Sequence, residues 1–217
     1  MTSYDFLKGN KPATCMIAVP TRGSIRWETV KRLNEITRNN PDLPPILYQA
    51  GNLNVALTRN RIVEQFMATD CQTLIMVDDD IVPPPHLLET LPNYIPEYAI
   101  VAIPHPMPHP INSEQLILTA YKDGKPCDLT EGINEVDTVA TGCCAIGREV
   151  FDTLRFRMQD TGSMSDDFLF CEDLRKAGYK VGAWWDGWFC DHITTVSLAP
   201  LFEGRQVVVM TGDNNGT

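Results

Sequence analysis

The run TLIMVDDDIVPPP, Thr73 to Pro85, constrains the fold more than any other stretch. Five residues of apolar or β-favouring type lead straight into Asp78, Asp79 and Asp80, and prolines then close the segment. Such a run, bounded by breakers, reads as a strand of a buried parallel sheet. Three successive carboxylates repel one another, so something must offset their charge. In extended backbone Asp78 and Asp80 share one face and Asp79 takes the other. Two carboxylates on one side can share a hard divalent cation such as Mg2+ or Mn2+. The competing reading is a solvated acidic turn, or Asp80 as the cap of the next helix.

The flanking pattern says what kind of sheet this strand joins. Cys15–Pro20 reads as a strand, TRGS as a turn, and Ser24 as the cap of a helix with apolar positions Trp27, Val30, Leu33 and Ile36. Ile46–Ala50 is a second strand. Asn54–Met67 is a helix whose core positions are Val55, Ile62, Val63 and Phe66. Pro84 opens a helix running to about Tyr94, and Tyr98–Ile103 is a fourth strand. Strand–helix alternation of this kind implies an α/β domain with a largely parallel sheet. Beyond Ile103 the character changes. HPMPHPINSEQ is an irregular loop, LILTAYKDGK a strand and hairpin turn, and EVDTVATGCCAIG a strand, bend and strand. SDDFLFCEDLRKAG is a helix with acids in its first turn and Gly178 as its stop, YKVGAWW another strand, and QVVVM a last one. One domain over 1–217 is expected, with halves at about 13–104 and 105–200 and a frayed tail at 211–217.

With 217 residues and a net charge of −10, the chain is poorly suited to neutralising phosphate. Nucleic acid and anionic membranes are therefore unfavoured partners. The N-terminus MTSYDFLKGNKPATC lacks the apolar core of an export signal. No run approaches the roughly 18 apolar residues of a membrane span. Seven cysteines, an odd number without a Cys-x-x-Cys pair, point to reduced thiols and a cytoplasmic setting.

Four further features carry chemistry. Asp166 and Asp167 open a helix, either as partners of its dipole or as a general base facing a cleft. His192 follows a strand, as a structural residue or a ligand. Arg59–Asn60 lies in a helix where a solvated arginine is the ordinary reading. Trp184, Trp185, Trp188 and Phe189 are either packing or an aromatic wall for a sugar face. HPMPHP, with His105 and His109, reads either as a metal site or as a proline-stiffened loop beside the cleft that gates donor or acceptor, and Gly142–Cys143–Cys144 reads as small buried residues.

In this order and spacing, the segments AVPTRG, the Arg–Asn helix, the DDD strand end, TGCCAIGREVF, the acidic helix ending AGYKV and the late histidine resemble one family. The chain is similar to the nucleotide-sugar-dependent glycosyltransferases of the GT-A fold, in particular the family 2 group and its small stand-alone, phage-type members. The resemblance covers about Cys15 to Ile193. It implies a GT-A-type, Rossmann-like mixed sheet, mostly parallel in its N-terminal, nucleotide-binding half and flanked by helices. The C-terminal half would bind the acceptor. It also implies a Mn2+ or Mg2+ cofactor and a nucleoside-diphosphate sugar donor. The acceptor is an unspecified protein, glycan or small molecule, and host cytoplasm is the setting if the chain is phage-encoded.

The resemblance assigns Asp80 first as metal ligand, with Asp78 either a second ligand or a contact to the donor ribose. Asp79 enters if a kink breaks the alternation. His192 occupies the place of a late metal or diphosphate ligand. Asp167 aligns with the catalytic base, with Asp166 beside it. Pro20, Thr21, Arg22, Gly23 and Arg59 fall at donor-binding positions, as do Asp78 and Asp79. Gly142, Trp184 and Trp185 fall on the acceptor side. One departure is Gln49–Ala50–Gly51–Asn52, where many members carry a base-binding acid. Two other readings compete: a haloacid-dehalogenase-like phosphatase using VDDDIV, and a nucleotide- or carbohydrate-binding module without turnover.

Overall fold

The computed structural model describes residues 15–51, 54–108, 116–158, 165–187 and 190–193. Asn52, His109, Trp188, Phe189, the QVVVM segment and the tail at 211–217 lie outside them.

The first half contains β1 (Cys15–Thr21), α1 (Trp27–Asn39), β2 (Leu47–Ala50), α2 (Val55–Met67), β3 (Thr73–Val77), β4 (Ile81–Val82), α3 (Leu87–Thr90) and β5 (Ile100–Ala102). Next come β6 (Pro106–Pro108), β7 (Leu116–Leu118), β8 (Ala120–Lys122), β9 (Lys125–Pro126), β10 (Gly132–Val136), β11 (Thr138–Val139) and β12 (Cys143–Gly147). The last are α4 (Asp166–Lys176), β13 (Val181–Trp185) and β14 (Asp191–His192).

Among the described residues, seven strands form the main sheet in the order β10-β13-β5-β12-β3-β1-β2. β2, β1 and β3 run parallel, as do β5 and β13, while β12 runs antiparallel between β3 and β5. Every residue of β1, β3 and β12 is buried, as expected of central strands covered on both faces. Alternation splits them between two cores. Met16, Ala18, Leu74 and Met76 meet Ile62, Val63 and Phe66 of α2 and Phe170 and Leu174 of α4. Ile17, Val19, Ile75 and Val77 meet Leu33 and Ile36 of α1 and Leu87 of α3.

Local chemistry explains most element ends. The Asn54 side chain accepts the Leu57 N–H and starts α2. α4 ends where Gly178 adopts φ +86°, the Tyr179 N–H reaching back to the Leu174 carbonyl. Some expectations shift. Arg26, not Ser24, precedes α1 and offers no side-chain cap, and Trp27 lies 70% exposed while Thr29 takes its place in the core. The helix expected from Pro84 to Tyr94 is only Leu87–Thr90 followed by a 3-10 turn at Leu91–Tyr94, with a second proline, Pro92, inside it. The fourth strand is trimmed to Ile100–Ala102.

The placement of β12 shapes the edge of the sheet. Because it enters beside β3 from the opposite direction, its first residues lie against the last residues of β3. The Asp78 N–H donates to the Gly142 carbonyl at 2.8 Å. Two sequence segments more than sixty residues apart thus meet at the carboxyl edge of the sheet, where open α/β folds bind ligands.

Candidate active site

β3 stops at Val77, and the three aspartates do not continue it. The Ile81 N–H donates to the Asp78 carbonyl at 3.1 Å, closing a tight turn. The strict alternation expected from extended backbone is therefore broken, and each carboxylate finds its own partner. Asp79 accepts the Arg22 N–H at 3.2 Å, and its carbonyl accepts the Arg26 N–H at 2.9 Å. Asp80 lies 3.5 Å from His192 Nε2, because β14 pairs with β4 and the Ile193 N–H donates to the Asp80 carbonyl.

Asp78 meets Arg59. That guanidinium is buried, 3% exposed, and donates from Nη2 to both Asp78 oxygens at 3.1 and 3.2 Å. Its Nη1 donates to Asp166 Oδ2 at 2.6 Å and to Asp167 Oδ1 at 2.7 Å. The Phe156 ring lies 5.7 Å from its Cζ. The arginine of α2 is thus not solvated; it is the shared counterion of acids from the end of β3 and the start of α4. Burial opposes its charge, yet the attraction of Asp78, Asp167 and Asp166 holds its pKa well above the ordinary value. Burial raises Asp78 and Asp166 even against the pull of Arg59. Three carboxylates with one guanidinium leave the cluster electronegative.

Beside this cluster lies a cavity of about 180 Å3. Pro20, Thr21 and Arg22 line it from the end of β1, and Gly51, Asn54, Val55 and Thr58 from the β2–α2 junction. Asp78, Asp79 and Asp80 complete the lining. Gly51 allows the β2 end to approach α2, since a Cβ there would fall 1.6 Å from Thr58 Oγ1. Gln49 turns away: its side chain bonds Gln65 and the Ala50 carbonyl. Gly23, at φ +116°, shapes the turn and donates its N–H to Thr21 Oγ1.

Two more residues join the site: Thr141, which the sequence did not single out, and His105, which it placed on a loop beside the cleft. Thr141, fully buried, donates its hydroxyl to Asp167 Oδ1 at 2.5 Å. Its only sequence signal is its place before Gly142. His105 packs edge-on against His192 with ring centroids 4.9 Å apart. Burial, and next the neighbouring His192, lowers its pKa to about 4, so it is neutral. His192 moves the other way, raised chiefly by its bond to Asp80, whose own pKa that bond lowers. Gly142 sits among these groups. A Cβ there would lie 3.2 Å from His105, 3.3 Å from Ile81 and 3.4 Å from Asp78.

The aromatic pair behaves differently. Trp184 is buried in the second core, its ring 5.5 Å from that of His86. Trp185 lines a separate hollow with Leu116–Leu118 and Pro126–Leu129. Neither lines the aspartate cavity. All seven cysteines are thiols rather than disulfides, and burial raises Cys15 and Cys171 to about 12, so they are not nucleophiles.

A divalent cation fits part of this arrangement. Among the described residues no group of three acidic, histidine or cysteine side chains forms a ready cage. Asp78 has each oxygen hydrogen-bonded once to Arg59, so a cation there would share the carboxylate with that counterion. Asp80 and His192 are side by side and partly exposed, 41% and 24%, and supply one oxygen and one nitrogen. Such a pair suits an ion that takes its other ligands from phosphate and water, as Mg2+-type sites do.

No protein-family model and no curated protein matches the chain. Solved structures do. A197 from STIV superposes with a TM-score of 0.58 at 18% identity, covering 83% of this chain and 86% of that one. The mannosyltransferase PcManGT from Pyrobaculum calidifontis, in complex with GDP-Man and Mn2+, gives 0.54 at 13% identity, covering 85% of this chain and 57% of its own. TarS from S. aureus gives 0.50 at 13% identity over 88% of this chain and 38% of its own. At such identities the likeness establishes the fold: this is a GT-A-like mixed α/β sheet flanked by helices.

Proposed function

We propose that the protein is a metal-dependent glycosyltransferase that moves a sugar from a nucleoside-diphosphate donor to an acceptor hydroxyl with inversion. The observation that carries this reading is the buried Arg59 bond network. It ties Asp166 and Asp167 to Asp78, which lines a cavity together with the β1 turn and the rest of the aspartate triplet. The fold shared with a mannosyltransferase in complex with GDP-Man and Mn2+ supports it.

In this reading the nucleoside lies along Pro20, Thr21, Arg22 and Gly23, with Asp79 fixing the turn that carries Arg22. Arg59 acts through the acids it orients, since both of its Nη groups are engaged by Asp78, Asp166 and Asp167, while its buried Nε has no partner among the described residues. Asp80 and His192 hold Mn2+ or Mg2+, which offsets charge on the departing diphosphate. Asp167 is the base. It takes the acceptor proton as the hydroxyl oxygen bonds to the sugar carbon and the bond to the diphosphate breaks. Asp166, more deeply buried, balances Arg59. Gly142 leaves room beside Asp78 and His105 for the transferred sugar. The hollow beside Trp185 is the place for the acceptor, which is a protein, glycan or small molecule. Trp184 is assigned to packing. The phosphatase reading needs Asp78 as a nucleophile, and both its oxygens are bound by Arg59. A module that only binds has no use for the acid placed at Asp167.

Thermal shift against UDP, GDP and CDP tests the donor site. One of them should raise the melting temperature, and more so with Mn2+. No shift with any of the three, with or without metal, overturns the assignment. Asp167→Asn should keep that shift while turnover falls roughly 100-fold or more, the usual contribution of a general base. Turnover at the wild-type rate removes Asp167 from the mechanism.

A further inference from the structure

We infer that Thr141 is a positioning residue: its hydroxyl, with Arg59, pins one oxygen of Asp167 and so dedicates the other to the acceptor proton. The inference rests on the transferase reading of Asp167 and adds a residue to it.

Asp167 sits in the first turn of α4, where a short side chain can rotate. Both donors that reach it fall on the same atom, Oδ1: Arg59 Nη1 at 2.7 Å and Thr141 Oγ1 at 2.5 Å. Among the described residues no donor reaches Oδ2. Arg59 alone does not select this arrangement, because its Nη1 is shared with Asp166 and its Nη2 is spent on Asp78. The hydroxyl is the contact that belongs to Asp167 only. It is also a rigid one. Thr141 is fully buried, and its β-branched side chain is stiff at χ1. Its backbone is anchored next door, where the Asp78 N–H bonds the Gly142 carbonyl and the Ile103 N–H bonds the Cys143 carbonyl. The sheet therefore sets the height of the hydroxyl, and the hydroxyl sets the carboxylate. Hydrogen bonds to Oδ1 leave Oδ2 as the oxygen with an open lone pair, which a base that works on one acceptor hydroxyl requires.

The test compares Thr141→Val, which keeps the shape and removes the hydroxyl, with Thr141→Ser, which keeps the hydroxyl. Release of nucleoside diphosphate from UDP-glucose and GDP-mannose with Mn2+ gives kcat and KM. Thr141→Val should lower kcat roughly 10- to 100-fold, the scale for a misplaced reacting group, with donor KM unchanged. Thr141→Ser should recover most of the rate. A Thr141→Val enzyme with wild-type kcat overturns the inference. So does a loss that Thr141→Ser shares in full, which marks a packing role. A crystal structure of Thr141→Val gives a readout free of activity: Asp167 should leave its wild-type rotamer, and an unmoved carboxylate overturns the inference. If the wild type releases no diphosphate from either sugar, the transferase reading is what fails, and the rotamer still decides the role of Thr141.

Discussion

Among the described residues, the ten that line the cavity come from the stretch Pro20–Asp80, whereas the acids that meet Arg59 from the far side come from α4, 107 and 108 positions after Arg59. The two regions are built by different physics. The first is a set of parallel βα units in which apolar burial fixes both register and helix placement. The second is made of short strands, turns and one helix. Its functional groups are delivered by single polar bonds: Thr141 to Asp167, the β14–β4 pair carrying His192 to Asp80, and Gly142 to Asp78. The difference teaches where to expect robustness. A surface for binding can rest on a core, but the constellation proposed for proton transfer rests on individual hydrogen bonds across a seam, and Arg59 is the joint.

Removing the joint should have the largest effect. Arg59→Met leaves the buried Asp166 and the half-buried Asp78 beside Asp167 with no cation. Breaking a buried ion pair in this way costs on the order of 3–5 kcal/mol, read as a lower urea midpoint. The pH dependence has a definite sign. Burial already raises Asp78 and Asp166, and without Arg59 nothing opposes it. A carboxylate whose folded pKa is raised adds stability below its unfolded pKa and loses it as pH climbs through the folded one. The deficit of Arg59→Met should thus be greatest near neutral pH and shrink in acid. A loss that stays constant with pH, or falls below about 1 kcal/mol as for a surface pair, would show that the two regions are not coupled through Arg59.

The His192–Asp80 contact gives a smaller, separable effect. His192→Ala should weaken Mn2+ binding about 10-fold or more, since loss of even an outer partner of a metal ligand has that effect. Calorimetry should show the uncomplexed nucleotide binding as before. Asp80 raises the His192 pKa above 6.5, and a proton competes with the metal for the ring nitrogen. Wild-type Mn2+ affinity should therefore fall as pH drops through that raised value, and His192→Ala should lose this part of the dependence. An unchanged pH profile would confine His192 to packing against His105.

The two regions also differ in how far the sequence reveals them. β1, β3 and α2 announce themselves through buried runs and a helical period, and their positions are close to those expected. So are Asp166 and Asp167 at a helix start, with Gly178 ending it. What the sequence conceals is pairing across distance. Nothing local in α2 marks Arg59 as buried, because its partners lie 19, 107 and 108 residues away. The split of Asp78, Asp79 and Asp80 among three partners depends on a turn that period-two reasoning cannot see. Thr141 is an ordinary residue in sequence, and His105 is marked there only by its proline-rich loop; their partners appear only when β12 and the segment after β5 converge on the end of β3. Trp184 misleads in the opposite direction: an aromatic cluster suggests a sugar platform, and strand alternation buries this member in the core.

The hairpin between β8 and β9 offers the mildest test of the comparison, because it belongs to the second region and lies outside the aspartate cavity. Asp123 and Gly124 form its two-residue loop, with φ of 51° and 73°, and the strands resume at Lys122 opposite Lys125. An Asp-Gly pair is the usual choice where both central residues need positive φ. A Cβ added at Gly124 meets no atom within 4 Å, so Gly124→Ala creates no clash and its penalty is purely that of backbone conformation. That penalty is about 1–2 kcal/mol for an L-residue in left-handed space, and it should appear in full as lost stability. Nucleotide affinity should not change, because no residue of the hairpin lines the aspartate cavity. Turnover per folded molecule should hold as well if the hairpin is scaffold. Pro126 of β9 nevertheless lines the hollow that contains Trp185. A Gly124→Ala enzyme whose turnover falls while its folded fraction and nucleotide binding stay intact would therefore support the acceptor hollow proposed beside Trp185 and show that this small sheet shapes it, so that the second region holds a binding surface as well as the proposed chemistry.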